Sequence, residues 1–136
     1  MKIRVLLILL VVILAGCKNQ TVQPSELAQP TPVAGVSIQI SNVTPVGATV
    51  TITDTNQEPY VYGEWFQIQR MTDGQWEDVP TVTRGYAFSE IGYLPDGKGT
   101  VEFNIDWEWL YGELPAGTYR IFKLVNFQEI SIEFII

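Results

Sequence analysis

The thiol of Cys17 is the reactive group whose position is most informative, and it is the single cysteine in the chain. A cysteine thiolate is a nucleophile and can be alkylated. Cys17 follows Leu14-Ala15-Gly16, which ends an apolar run that starts at Val5 and is preceded by the basic Lys2 and Arg4. This order of basic, apolar and small residues is the layout of a secretory signal. The apolar run is shorter than the roughly 20 residues that a membrane-spanning helix needs.

The cysteine at the end of this signal resembles the lipobox of bacterial lipoproteins. The resemblance implies that a diacylglycerol is attached to the Cys17 sulfur through a thioether and that the chain is cleaved before Cys17. Two acyl chains give stable anchoring, because each buried methylene contributes about 0.8 kcal/mol. We therefore expect residues 1–16 to be a lipoprotein signal peptide. We expect the mature chain to be anchored by lipid on the extracytoplasmic face of the cell membrane.

The chain contains no histidine, which limits the chemistry that it can perform. Ser-His-Asp and Cys-His nucleophilic sites, the usual zinc sites and the commonest general base near neutral pH are all removed. Five acidic residues could offer oxygen ligands to calcium, although they follow no EF-hand pattern. They are Glu58, Glu64, Asp106, Glu108 and Glu113. We expect no catalytic residue, no cofactor and no metal site.

The charge balance excludes another class of partner. Loss of Lys2 and Arg4 with the signal peptide leaves six basic and 15 acidic residues, a net charge of −9. Such an acidic surface repels nucleic acid and anionic headgroups, so we expect no nucleic-acid partner.

Two segments differ in pattern after Cys17. Residues 17–34 are rich in proline and glutamine and are expected to form the lipidated cysteine and a flexible tether. From residue 35 to 136, apolar residues alternate with polar ones, which is typical of strands. Strands are predicted at 36–40, 48–52, 60–71, 75–79, near 86–88, at 100–105, 118–127 and 129–136. About seven short strands with regular turns predict an all-β antiparallel sandwich.

The segment 106–121 has the most specific sequence. Asp106 is expected to cap one helical turn, and Gly112 to end it in a left-handed conformation. Tyr119 then starts a strand after a corner and can return its hydroxyl to the upstream backbone, as in a tyrosine corner. The run Asp-Trp-x-Trp-Leu-Tyr-Gly-x-Leu-Pro-x-Gly-x-Tyr-Arg resembles the bacterial Ig-like domain of small Gram-positive lipoproteins. The resemblance covers nearly all of 35–136, implies an Ig-like fold and supplies no catalytic residues.

Three tryptophans are candidates for ligand contact: Trp65, Trp107 and Trp109. Their rings could stack on a sugar, or they could fill the core. Trp65 is expected on the surface because it alternates with the apolar Phe66 and Ile68. Since Trp107 and Trp109 are two residues apart on one turn, at least one should face away from the core.

Together these features predict a lipid-anchored, non-catalytic binding or envelope-interaction module, with an envelope protein or a glycan as its partner. The alternative is an inhibitor or accessory domain that acts on an envelope protease through the segment 80–97. An enzyme is disfavoured because no nucleophile is paired with a base.

Overall fold

The structure is a computed structural model that describes residues 32–136. The predicted signal peptide, Cys17 and the tether up to residue 31 lie outside the described residues. The described elements, in chain order, are β1 (Val36–Thr44), β2 (Gly47–Asp54), β3 (Tyr62–Gly63), β4 (Gln67–Thr72), β5 (Gln75–Asp78), β6 (Gly92–Tyr93), β7 (Thr100–Asp106), the helical turn α1 (Glu108–Tyr111), β8 (Thr118–Val125) and β9 (Gln128–Ile135).

The strands form two antiparallel sheets. The smaller sheet has the order β1-β2-β7. In the larger sheet, β9 pairs with one edge of β8, and β4 and β3 share its other edge. The short strands β5 and β6 complete that sheet, β5 beside β4 and β6 beside β3. The predicted all-β antiparallel sandwich is confirmed, and residues 32–136 form nine strands, of which two have only two residues each.

The core lies between the two sheets and is filled by the inward residues of each strand. On β7 every second residue is buried, as the alternation of Val101, Phe103 and Ile105 predicts. Val50 and Ile52 of β2 are fully buried beside them. The larger sheet contributes aliphatic and aromatic side chains from β4, β8 and β9, which are Ile68, Tyr119, Ile121, Val125, Ile130 and Phe134.

Three predicted strands differ from the structure. The strand predicted over 60–71 is interrupted between Gly63 and Gln67. No strand forms near Tyr86–Phe88, because these rings pack edge-on against each other and against Trp109 instead of alternating across a sheet. The strand predicted over 118–127 ends at Val125, since the next two residues have φ of +46° and +63° and form the hairpin turn.

The folded domain begins before the predicted boundary at Gly35. The Val33 side chain is buried in the core, and its carbonyl accepts a hydrogen bond of 3.1 Å from the Val36 amide. The Ala34 carbonyl accepts another, of 3.1 Å, from the Asn56 side chain. Among residues 32–136, no helix has the length and apolar character needed to cross a membrane.

Candidate functional site

The corner between β7 and β8 is built around Tyr119. Its side chain is fully buried, and its hydroxyl donates a 2.5 Å hydrogen bond to the Pro115 carbonyl four residues upstream. The ring stacks on Phe134 at 5.5 Å between centroids, and Trp107 stacks on the same Phe134 at 5.4 Å. This arrangement has the geometry of a tyrosine corner, and it fixes where the chain after β7 re-enters the larger sheet.

The helical turn α1 lies in the same connection. Asp106 Oδ1 accepts a 2.9 Å hydrogen bond from the Glu108 amide. Because the helix starts at Glu108, however, Trp107 and not the predicted Asp106 occupies the N-cap position, and its side chain makes no capping hydrogen bond. The Gly112 amide closes the turn with a 2.8 Å bond to the Glu108 carbonyl. Gly112 has φ of +73° and ψ of −170°, so it lies outside the left-handed helical region that the sequence predicts. The conformation that it adopts instead is open essentially only to glycine.

The three candidate tryptophans have different environments. Trp107 is fully buried, and its indole nitrogen donates a 2.9 Å hydrogen bond to the Pro45 carbonyl. Its prediction as a ligand contact is therefore corrected, because its ring is enclosed between the sheets and reaches no surface. Trp65 is half-buried and does not line the groove described next. Trp109 is 42% exposed.

Trp109 lies at the rim of a cavity of about 400 Å³, which we call the aromatic groove. The groove is lined by Glu64, Phe66, Phe88, Tyr93, Trp109 and residues 102–106 of β7. The ring of Trp109 packs edge-on against Phe88 at 5.9 Å and against Tyr86 at 6.1 Å. Phe88 contacts Phe66 in the same manner at 5.2 Å, so one wall of the groove is a continuous aromatic cluster.

The charged groups of the groove are all acidic. Carboxylates come from Glu64, Glu102 and Asp106, and no basic side chain is among the described residues that line it. Glu64 Oε1 accepts a 2.6 Å hydrogen bond from the Tyr93 hydroxyl. Because the hydroxyl donates to this carboxylate, the pKa of Tyr93 is raised. The arrangement of aromatic faces beside carboxylates suits a cationic group.

A buried lysine lies behind the groove. Lys123 is fully buried on β8, and its Nζ lies 3.8 Å from the centroid of the Phe103 ring. Its Nζ donates a 2.7 Å hydrogen bond to the Gly63 carbonyl. Burial lowers the pKa of Lys123 to about 8, and the negative charge of Glu64 partly opposes that effect.

The segment 80–97 is tied to the domain at several points and forms a wall of the groove. The Val82 amide donates a 2.8 Å hydrogen bond to the Leu110 carbonyl, and the Thr83 hydroxyl donates to the Trp109 carbonyl. Further along, Tyr93 belongs to β6. Between these ties, residues 84–87 and 89–92 are exposed, so the alternative of an inhibitor that acts through this segment stays a prediction.

Asp54 is a second acidic residue with unusual surroundings, at the far end of β2. It is buried, and its oxygens accept hydrogen bonds from the Tyr60 amide, the Tyr62 hydroxyl and both nitrogens of Asn56, at 2.8–2.9 Å. Burial alone would raise the pKa of Asp54, but these four bonds outweigh it and lower the pKa. Asp54 therefore holds the loop after β2. Across residues 32–136 no group of three or more metal-ligating side chains comes together.

Sequence reasoning missed three features of the site. Glu102 and Asn104 line the groove. Their alternation with buried residues predicts only that they face away from the core, and it does not indicate a binding site. The role of Phe88 depends on a contact with Trp109 from a distant part of the chain. Lys123 did carry a signal, because it is in register with the inward Ile121 and Val125 on β8.

Comparison with known proteins identifies the fold family. The model of the family described as bacterial Ig-like domain matches residues 32–135. No curated protein and no solved structure gives a significant match. The matched residues cover well over half of the sequence and coincide with the folded sandwich. The chain therefore belongs to the bacterial Ig-like domain family.

Proposed function

We propose that the chain is a non-catalytic binding module, held on the extracytoplasmic face of the cell membrane by lipid on Cys17, and that the aromatic groove is its binding site. The observation that carries this proposal is the exposed Trp109 ring at the rim of a concave, acidic cavity. Concave sites with apolar walls and a few convergent polar groups are the usual ligand sites of proteins.

The chemistry of the groove favours a ligand that carries positive charge. Aromatic faces attract cations through their quadrupoles, and a carboxylate adds a charged hydrogen bond. The groove offers both, from Trp109 and Tyr93 on one wall and from Glu102 and Asp106 on the other. A neutral sugar would also stack on the aromatic faces and donate hydroxyl hydrogen bonds to the carboxylates, but it would leave their negative charge unpaired.

The position of the groove agrees with an anchor at the N-terminus. The chain enters the sandwich at Val36, which pairs with Asp54 at the last residue of β2. The groove ends near Asp106, which pairs with Gly47 at the first residue of β2. Seven steps of about 3.3 Å separate these ends by about 23 Å. The predicted tether adds roughly 20–25 Å as a coil. The groove therefore lies toward the end of the sandwich opposite the entry of the chain at Val36.

Binding is tested by comparing two tryptophan variants of the full chain in detergent. We expect Trp109→Ala to weaken retention on envelope material by about tenfold or more, as for an aromatic hot spot. Trp65→Ala is the matched control, because it removes the same side chain outside the groove, and it should leave retention unchanged. Cell-wall glycan and envelope proteins are presented separately. Equal retention of the two variants on both materials would refute the groove as the binding site.

The anchor is tested by Cys17→Ser. A serine oxygen is not the thioether-forming sulfur, so the variant should not acquire lipid. We expect the wild-type chain to partition into the detergent phase and the variant to remain as the unprocessed precursor or to be lost to the aqueous phase. Equal processing and equal partitioning of the two would contradict the proposed lipid attachment.

A further inference from the structure

The strand β7 is an edge of the smaller sheet, and its open side lies along the aromatic groove. It pairs with β2 on one side, and the order β1-β2-β7 places no described strand on the other. Residues 102–106 of β7 form a wall of the groove. Backbone groups on an unpaired edge can pair with another extended chain.

The backbone groups that face the groove can be assigned from the pairing with β2. The Trp107 amide bonds the Val46 carbonyl at 3.0 Å, and the Asp54 amide bonds the Gly99 carbonyl at 2.8 Å. Both bonds fall in the register of β2 and β7, in which hydrogen-bonded pairs alternate with non-bonded ones. The odd-numbered residues of β7 therefore bond β2. The amides and carbonyls of residues 102, 104 and 106 face the open edge.

One end of this edge is already closed. The Thr100 carbonyl accepts a 2.8 Å hydrogen bond from the Asp96 amide. The Thr100 amide donates a 3.0 Å bond to the Asp96 carboxylate. The open stretch therefore runs from Glu102 to Asp106, which is the stretch that lines the groove.

Among the other edges of the described sheets, those of β1, β5 and β6 are interrupted or short, as natural sheet edges often are, whereas β9 is a second long edge strand of eight residues. The ladder of β1 is interrupted between Ser41 and Thr44, and β1 packs alongside β9. The edge strands β5 and β6 have four and two residues. In Ig domains of the constant type, a fourth strand lies beside the strand equivalent to β7, and in the chain it comes before that strand. The corresponding segment here forms the aromatic wall and leaves β7 without that neighbour.

We propose that β7 accepts an extended, basic peptide segment of an envelope protein as an additional strand. This inference rests on the proposed function of the groove and names its ligand. Main-chain hydrogen bonds to residues 102, 104 and 106 give the affinity, and alternate side chains give the specificity. Side chains on one face of the added strand meet the aromatic wall at Trp109 and Phe88. Those on the other face meet the carboxylates of Glu102 and Asp106.

Charge selects this partner over a second copy of the chain. Antiparallel pairing of two β7 strands centred on Asn104 would place Glu102 of one copy opposite Asp106 of the other. Like charges directly opposite each other destabilise a strand pair. A basic segment would instead place lysine or arginine opposite these carboxylates, where opposite charges stabilise the pairing.

The probe is a peptide of about seven residues, the length of β7, in which lysine alternates with valine. We expect it to bind the full chain in detergent and to slow hydrogen exchange of the amides of residues 102, 104 and 106. A matched peptide with glutamate in place of lysine should not bind. N-methylation of the peptide amides that face β7 should weaken binding about tenfold or more, because several hydrogen bonds are lost together.

The protein variants separate backbone pairing from other contacts. Asn104→Pro removes one edge-facing amide, and proline is tolerated on an edge strand where its nitrogen faces solvent. Asn104→Ala is the control for the side chain, whose Oδ1 accepts a 3.1 Å hydrogen bond from Thr49. We expect Asn104→Pro to weaken peptide binding by about tenfold, because it loses one hydrogen bond and its ring hinders the close approach of the added strand, and Asn104→Ala to retain binding. If Asn104→Pro fails to fold, comparing the N-methylated peptide with the unmodified peptide on the wild-type chain tests the same backbone hydrogen bonds.

Three results would overturn the proposal. The first is absence of binding by the lysine peptide, and the second is binding that is insensitive to N-methylation. The third is protection of the same amides in protein alone as its concentration is raised, which would show self-pairing. If envelope ligands bind in a manner that depends on Trp109 but not on the edge amide of residue 104, strand addition fails while the groove remains the binding site. If binding of envelope ligands depends on neither Trp109 nor the amide of residue 104, the proposed function is refuted as well.

Discussion

Lys123 should make the protein more stable as the pH rises from about 7 to about 9.5. In the folded protein, burial lowers the pKa of its amine to about 8, whereas in the unfolded chain the amine has the ordinary value of 10.5. Between these values the unfolded state binds a proton that the folded state lacks. The free energy of unfolding therefore increases with pH in this window, and the increase is lost as the pH falls through 8.

The size of the effect follows from the two pKa values. Integrating the proton uptake from pH 7 to pH 9.5 gives about 2 kcal/mol, at 1.36 kcal/mol for each unit of pKa difference. The upper limit of the window stays below the ordinary tyrosine pKa of about 10. This matters because burial raises the pKa of Tyr62, Tyr111 and Tyr119, and these groups lower stability as the unfolded state loses their protons at higher pH.

The assay is urea unfolding of the full chain in detergent at several pH values in this window. Lys123→Met removes the amine but keeps a long unbranched side chain, so its stability should lack the increase of about 2 kcal/mol. Lys98→Met is the matched control, because it removes an exposed lysine, and it should retain the increase. Parallel curves for the wild type and Lys123→Met would refute the argument that the buried amine loses its charge near pH 8.

Three further substitutions and one control test the corner and the loop after β2 by the same unfolding measurement. Tyr119→Phe removes the bond to Pro115 and should cost roughly 0.5–1.5 kcal/mol, and no loss would mean that the hydroxyl bond does not form. Gly112→Ala should cost about 1–3 kcal/mol, because its backbone conformation is strained for alanine. Gly63→Ala is the control, because an added Cβ there meets nothing within 4 Å, and it should change stability by under about 0.5 kcal/mol. If Gly112→Ala and Gly63→Ala cost the same, the backbone of Gly112 is not strained for alanine. Asp54→Asn replaces an acceptor of four hydrogen bonds and should cost roughly 1.5–3 kcal/mol, and a neutral result would show that the carboxylate does not hold its loop.

The alternation of apolar residues was sufficient to predict the regular strands. In β7 and β9, residues at every second position face one core, and the period of two leaves little ambiguity about the buried face. The turn at Asp73-Gly74 also followed from the sequence, because Asp-Gly favours the positive φ that a tight hairpin turn requires. Both residues have positive φ in the structure. These strands and this turn can be predicted from the sequence because side-chain alternation and turn conformation are determined by neighbouring residues.

The parts that sequence could not predict depend on distant contacts. The spacing of Trp107 and Trp109 does not determine which of the two rings is buried. Trp107 is the buried one because its indole nitrogen bonds the Pro45 carbonyl, which is distant in the sequence. The segment containing Tyr86 and Phe88 has a pattern compatible with a strand. It packs on Trp109 instead, and only the assembled sandwich brings those rings together.

The aromatic groove and the open edge of β7 have a common structural origin. If the segment between β5 and β7 had formed a fourth strand on the smaller sheet, it would have covered the amides of residues 102, 104 and 106. It instead turns its rings toward Trp109 and contributes only two residues, Gly92–Tyr93, to the larger sheet. The same departure from a regular Ig sheet therefore supplies the aromatic wall and exposes the backbone beside it. A ligand that uses the wall alone leaves those amides to water, whereas an extended peptide satisfies both.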